Sequence, residues 1–172
     1  MTVVGAADET ASPEARFQAL FARHYPAVFG YAARRVGRDE AGDAAAEVFT
    51  VVWRRMGRVP SEPGVLPWLY AVARRVVANQ ERSARRRQRL AARVSVIPGQ
   101  AFPAPGPEAV DVEAALLRLG AADREVLRLA AWEELQPAEI AAVLGCSANA
   151  AAVRLHRARH RLTGILNPED QP

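Results

Sequence analysis

The chain has 172 residues, half of them hydrophobic but only 6% aromatic, with Ala the commonest type. That suffices for one domain or two small ones, and small side chains with few strand-favouring runs point to closely packed helices. All 23 basic side chains are Arg against 19 acids, a net charge of +4, while the single Cys146 excludes an internal disulfide and a multi-cysteine zinc site.

Residues 1–11 are expected to be disordered. Ser12-Pro13-Glu14 is a helix start: a capping hydroxyl, a proline at the first helical position, then an acid near the positive end of the helix. Phe17, Leu20, Phe21, Val28, Tyr31 and Ala32 follow at helical spacing, and Gly37 closes the helix. Asp39 is the expected cap of a second helix, which carries Ala44, Val48, Val51 and Val52 on one side and ends near Gly57. The loop 58–66 is rich in turn formers. A third helix starts around Pro67 and runs toward Arg93, with Leu69, Val72, Ala73 and Val76 on its inner face.

Residues 98–107 hold four Pro and two Gly and cannot be helical, so the segment reads as a linker. Beyond it, helices are predicted near 108–119, 121–132, 137–144 and 148–162. The last two form a helix, a turn containing Gly145 and Cys146, and a helix opened by Ser147. That is the helix-turn-helix plan, whose second helix enters the DNA major groove. Cys146 in this turn reads as a small buried residue rather than a reactive thiol. Ala151, Leu155, Ala158 and Leu162 make one buried stripe, and Arg154, Arg157, Arg159 and Arg161 surround it with no acid among them.

Charge is unevenly placed. Residues 67–97 carry eight Arg and one Glu, residues 98–153 carry three Arg and eight acids, and residues 154–162 add four Arg. Two basic islands separated by an acidic stretch imply two nucleic-acid contacts on one chain.

These blocks together resemble the extracytoplasmic-function sigma factors of the sigma-70 family, which keep only regions two and four. The resemblance implies an all-α fold of two small helical domains: a three-helix region two at 12–95, a linker at 96–107, a helix-turn-helix region four at 108–165, and a tail at 166–172. Its first block is Ala41-Gly42-Asp43-Ala44-Ala45-Ala46-Glu47-Val48-Phe49, with Ala46 where the family commonly has Gln. Asp43 and Glu47 lie on one helix face. By resemblance, they and Phe49 bind core RNA polymerase at the beta-prime clamp helices, while region four meets the beta flap.

The second block runs from Pro67-Trp68 through Arg85-Arg86-Arg87 and resembles the helix that reads the minus-ten promoter element. The resemblance implies that Trp68 stacks at the upstream edge of the melted bubble and that the loop 58–66 captures a flipped base. Cations must also hold the strands, a role that suits Arg74, Arg75, Arg82 and Arg85, with Arg75 and Asn79 near base edges. The third block resembles region four, which binds the minus-thirty-five element. There Ser147 opens the helix, and family base-facing positions fall on Asn149, Ala152, Val153, His156 and Arg157, with Arg154 and Arg159 on phosphates. Ala152 and Val153 depart from the usual basic residue and Ser. Apolar side chains can touch a thymine methyl but report no donor–acceptor pattern, so base reading is expected to lean on Asn149, His156 and Arg157.

There is no phosphate-cradling Gly loop, paired His motif or nucleophile elbow, so neither a cofactor nor an enzymatic role is expected. A polymerase-independent helix-turn-helix regulator is the alternative, disfavoured because a sensor domain has no need of a Trp-led, Arg-rich helix. The N-terminus lacks the basic start and apolar core of a signal peptide, and no apolar run is long enough to span a bilayer. A cytoplasmic protein without membrane insertion is expected. The implied partners are core RNA polymerase, promoter DNA and an anti-sigma factor.

Overall fold

The computed structural model describes residues 12–91 and 110–167. The expectations for residues 1–11, the linker 96–107 and the tail past residue 167 lie outside the described residues. The chain divides into two units, Met1–Gln88 and Arg89–Pro172. Among the described residues all regular structure is helical.

The first unit is built from α1 (Pro13–Val36), α2 (Arg38–Arg54), one turn of 3-10 helix (Met56–Arg58) and α3 (Val65–Ala91). As predicted, the Ser12 hydroxyl accepts from the Ala15 N–H at 3.2 Å, with Pro13 starting the helix. Gly37 closes α1 at φ 88°, a left-handed conformation that suits a residue without Cβ, and its N–H donates to Ala33 O at 3.1 Å. Gly37 is also the N-cap of α2, so the expected Asp39 cap is corrected. Asp39 and Glu40 sit inside the first turn, where their charge opposes the positive end of the helix.

The core of this unit comprises Val28, Tyr31 and Ala32 from α1, Val48, Phe49 and Val52 from α2, and Leu69, Tyr70, Val72, Ala73, Val76 and Val77 from α3. Ala41, Ala44 and Ala45 are completely buried and carry no bulk, so α2 can lie close against its neighbours. The Tyr31 and Tyr70 rings stack at 5.3 Å and join α1 to α3, while the Arg35 guanidinium covers Tyr31 at 3.4 Å from its centroid. Four expected inner positions differ: Phe17, Leu20 and Val51 are only half-buried, and Phe21 is exposed. Helix α2 also stops before Gly57, and α3 begins at Val65, two residues ahead of Pro67.

The second unit contains α4 (Val110–Arg118), α5 (Ala121–Ala131), α6 (Pro137–Leu144) and α7 (Ala148–Leu166), with α7 packed against α4, α5 and α6. Its core joins Ala115, Leu116 and Leu119 to Val126, Leu127, Leu129 and Leu135, to Ile140, Ala141 and Val143, and to Ala151, Leu155 and Ala158. Leu162, expected in the buried stripe of α7, is only half-buried. The last carbonyls of a helix lack a partner from a following turn, and at the end of α4, among the described residues, only the Leu119 N–H returns to one, Leu116 O, at 3.1 Å. Arg124 of α5 supplies further donors: Nε donates to Leu116 O, and Nη2 to Leu117 O and Leu119 O, all at 3.0 Å.

Candidate nucleic-acid and polymerase interfaces

The α6–α7 corner is locally encoded. The Glu139 carboxylate reaches back to accept from the Gln136 N–H at 2.8 Å and starts α6 beside Pro137. Gly145, at φ 69°, ends it, with the N–H groups of Gly145 and Cys146 both donating to Ala141 O. Ser147 Oγ then accepts from the Ala150 N–H at 3.2 Å and opens α7. The two helices meet at 103°, the angle that lets one helix lie in a groove while its partner braces it. Cys146 is half-buried, less enclosed than expected.

On α7, Ala151, Leu155 and Ala158 are buried, while Asn149, Val153, Arg154, His156, Arg157 and Arg159 are exposed. Ala152 is half-buried, which removes it from the outermost face. At 3.6 residues per turn, Asn149, Val153, His156 and Arg157 cluster opposite the buried stripe, and Arg154 and Arg159 lie on its two flanks. A central reading strip between two cationic edges matches a groove floor between phosphate walls. Arg161 is exposed but committed elsewhere, paired with Asp123 of α5.

In the first unit, the structure separates the predicted α3 residues into two faces. Trp68, Arg75, Asn79 and Arg82 fall on one stripe by helical rotation, and Arg86, which the sequence pattern did not mark as a site residue, continues it. Arg74 and Arg85 lie roughly 90–110° around the helix, and Arg85 faces Glu81 at 3.8 Å. The five cations and Asn79 are exposed, and Trp68 is half-buried in the first turn. An aromatic leading a cationic stripe offers a stacking surface at one end and charge for the backbone along the rest.

The loop ahead of α3 is held from behind. Glu62 Oε1 lies 3.4 Å from both His24 Nε2 and Arg23 Nη1 of α1. Nothing local in the sequence pairs these residues. His24 is buried, and burial pushes its imidazole below the ordinary value of 6.5; the Glu62 carboxylate opposes that shift and Arg23 adds to it. The unfolded chain therefore takes up this proton first on acidification. Stability from this site is complete above pH 6.5 and falls as pH drops toward the lowered folded value. His24→Gln should flatten the corresponding slope in thermal midpoints measured between neutral pH and pH 5.

On α2, Asp43 and Glu47 are exposed one turn apart, and Glu47 Oε2 accepts from Gln80 Nε2 of α3 at 3.3 Å. Phe49 is different: it is 2% exposed and is corrected from a contact residue to a supporting one. Its ring packs against Phe21 at 4.8 Å, Tyr25 at 6.1 Å and Phe17 at 6.3 Å. The aromatic surface that does reach solvent here belongs to Phe21 and Trp53, 40% and 45% exposed. The i, i+4 run Phe17, Phe21, Tyr25 and Phe29 was the available signal, since four turns of aromatics wind beyond the width of one buried face.

Residues 20–87 match Sigma-70 region 2, and residues 109–162 match Sigma-70, region 4. The RNA polymerase sigma factor CarQ of Myxococcus xanthus is 35% identical over 163 residues, covering 87% of this chain and 88% of that protein. The chain is an extracytoplasmic-function sigma factor of the sigma-70 family. The sigma factor CnrH of Cupriavidus metallidurans is 28% identical over 96% of this chain and 94% of its own length. In fold, this sigma factor is similar to RpoE of Bartonella quintana, solved in complex with the anti-sigma factor NepR. That likeness has a TM-score of 0.67 at 23% identity, over 90% of this chain and 98% of that one. As a member of the family, this sigma factor directs RNA polymerase to promoters. Among its described residues, no helix by itself is long and apolar enough to cross a membrane, and no cluster of side chains is suited to a metal ion.

Proposed function

We propose that the two units divide the work of promoter recognition, with region two at about 12–95 and region four at about 108–165. In this reading Asp43 and Glu47 engage a basic surface of the beta-prime clamp helices, braced from below by Phe49. Trp68, Arg75, Asn79 and Arg82 meet the minus-ten strand, with Arg74 and Arg85 on the neighbouring backbone, and the loop tied down by Glu62 takes an extruded base. Opening the duplex then needs no covalent chemistry. Binding energy directed to a distorted DNA state favours the melted form, and polymerase performs the reaction. On this reading the protein is a cytoplasmic binding subunit and not an enzyme.

Region four, through α7, reads the minus-thirty-five element, and a surface of the same unit meets the beta flap. Each DNA face is small, so binding by the protein alone is weak, and attachment to polymerase makes the second contact effectively intramolecular. The observation that carries the reading is the pairing of an outward cationic strip on α7 with a Trp-led cationic stripe on α3. An anti-sigma factor as the regulating partner is supported by the Bartonella quintana neighbour having been solved with one.

The test is reconstitution. The purified chain should co-elute with core RNA polymerase and direct run-off transcription from a subset of a promoter library. Failure to bind polymerase, together with tight specific DNA binding by the chain alone, would overturn the division of labour in favour of an independent regulator.

A further inference from the structure

The centre of the α7 reading strip is apolar. Val153 is 41% exposed, one turn after Asn149 and one turn before Arg157, and stands roughly opposite the buried stripe of Ala151, Leu155 and Ala158. A lone exposed Val is ordinary on a protein surface; its position is what matters here. Asn149, His156 and Arg157 beside it are polar, the apolar Ala150 one turn earlier is half-buried, and Arg154 and Arg159 flank it where phosphate walls would stand. It is also the sixth residue of α7, in the N-terminal half from which a recognition helix touches base edges. Ala152 is smaller, half-buried and turned to one side, so it cannot share the role.

We propose that Val153 is a specificity-determining residue that reads the 5-methyl group of a thymine in the minus-thirty-five element. Of the base edges in the major groove, thymine alone offers an apolar group, and any other base placed there leaves a polar edge against Val153 without a partner. Asn149 and Arg157 bracket that base and report hydrogen-bonding patterns to either side. This moves base reading from Asn149, His156 and Arg157 alone to a strip with a methyl contact at its centre. The inference rests on α7 being the minus-thirty-five reader.

Holoenzyme reconstituted from the full chain and core polymerase is titrated against a promoter recovered from the library. Each minus-thirty-five thymine is replaced in turn by deoxyuridine, which removes the methyl and leaves the hydrogen-bonding edge intact. At one position the exchange should weaken binding about fourfold, the worth of one buried methyl group. Val153→Ala should abolish that difference; Ala favours the helix, so the variant keeps its fold. An element without thymine, deoxyuridine tolerated at every position, or a methyl effect that persists in Val153→Ala would each overturn the proposal while specific promoter binding leaves the α7 reading intact. Binding by the unmodified holoenzyme that is indifferent to scrambling of the whole minus-thirty-five element would instead overturn the α7 reading itself.

Discussion

Replacing both Asp43 and Glu47 by Arg is expected to eliminate measurable association with core RNA polymerase while the protein stays folded. Both side chains are exposed, and within the unit the exchange removes only the exposed hydrogen bond from Gln80 to Glu47, so the stability change should stay within about 1 kcal/mol. At the interface the effect is larger. On the proposed reading, two carboxylates that face cations become two guanidiniums facing the same cations, and like charges opposed across an interface cost several kcal/mol. At about 1.4 kcal/mol per tenfold, affinity falls by roughly a hundredfold or more. An anisotropy titration of labelled protein against core polymerase checks this, with helicity and thermal midpoint as controls. The wild-type interaction should also weaken with added salt. Unchanged affinity in the double variant would make the acidic pair an ordinary solvated face and shift attention to Phe21 and Trp53.

The second large effect lies in the other unit. Ile140 is fully buried in α6, within the core that holds α6 against α7. Ile140→Ala leaves a cavity there and should cost about 2–5 kcal/mol. Small domains are only marginally stable, so a loss of this size removes most of what holds the second unit together. On the proposed reading, recognition of the minus-thirty-five element depends on the α6–α7 angle and should be lost at physiological temperature. Polymerase binding, which that reading assigns to Asp43 and Glu47, should remain, because those residues belong to a unit with its own core. Ile140→Val removes one methylene, should cost about 0.5–1.5 kcal/mol, and should retain promoter selectivity. Promoter-selective run-off alongside polymerase co-elution separates these outcomes. Equal loss of both functions in Ile140→Ala would show that the two units do not act separately.

The helix-turn-helix was legible in the sequence because its signals are local. The Ser147 cap, the left-handed Gly145 and the spacing of Ala151, Leu155 and Ala158 each concern residues within a few positions of one another. The Ser12-Pro13 start and the Gly37 stop of α1 were legible for the same reason. Asp39 misled because a good capping residue was present, yet Gly37 had already turned the chain, and α2 began one residue earlier than the acid. Phe49 misled differently: its place in a motif indicated function, but the motif does not state which members carry contacts and which carry the packing beneath them.

Helical periodicity, caps and charge islands thus determined that this chain makes helices, where most of them begin and end, and which α7 side chains face outward. Three things were left to tertiary packing. It tied the loop at Glu62 to His24 and Arg23, committed Arg161 to Asp123, and set Gln80 against Glu47. Those partners are distant in sequence, and each pairing depends on how helices, and the loop carried between them, are set against one another as their apolar faces close. A hydrophobic stripe constrains which face a helix buries, but the register against its neighbour comes from the shapes of all the buried side chains together.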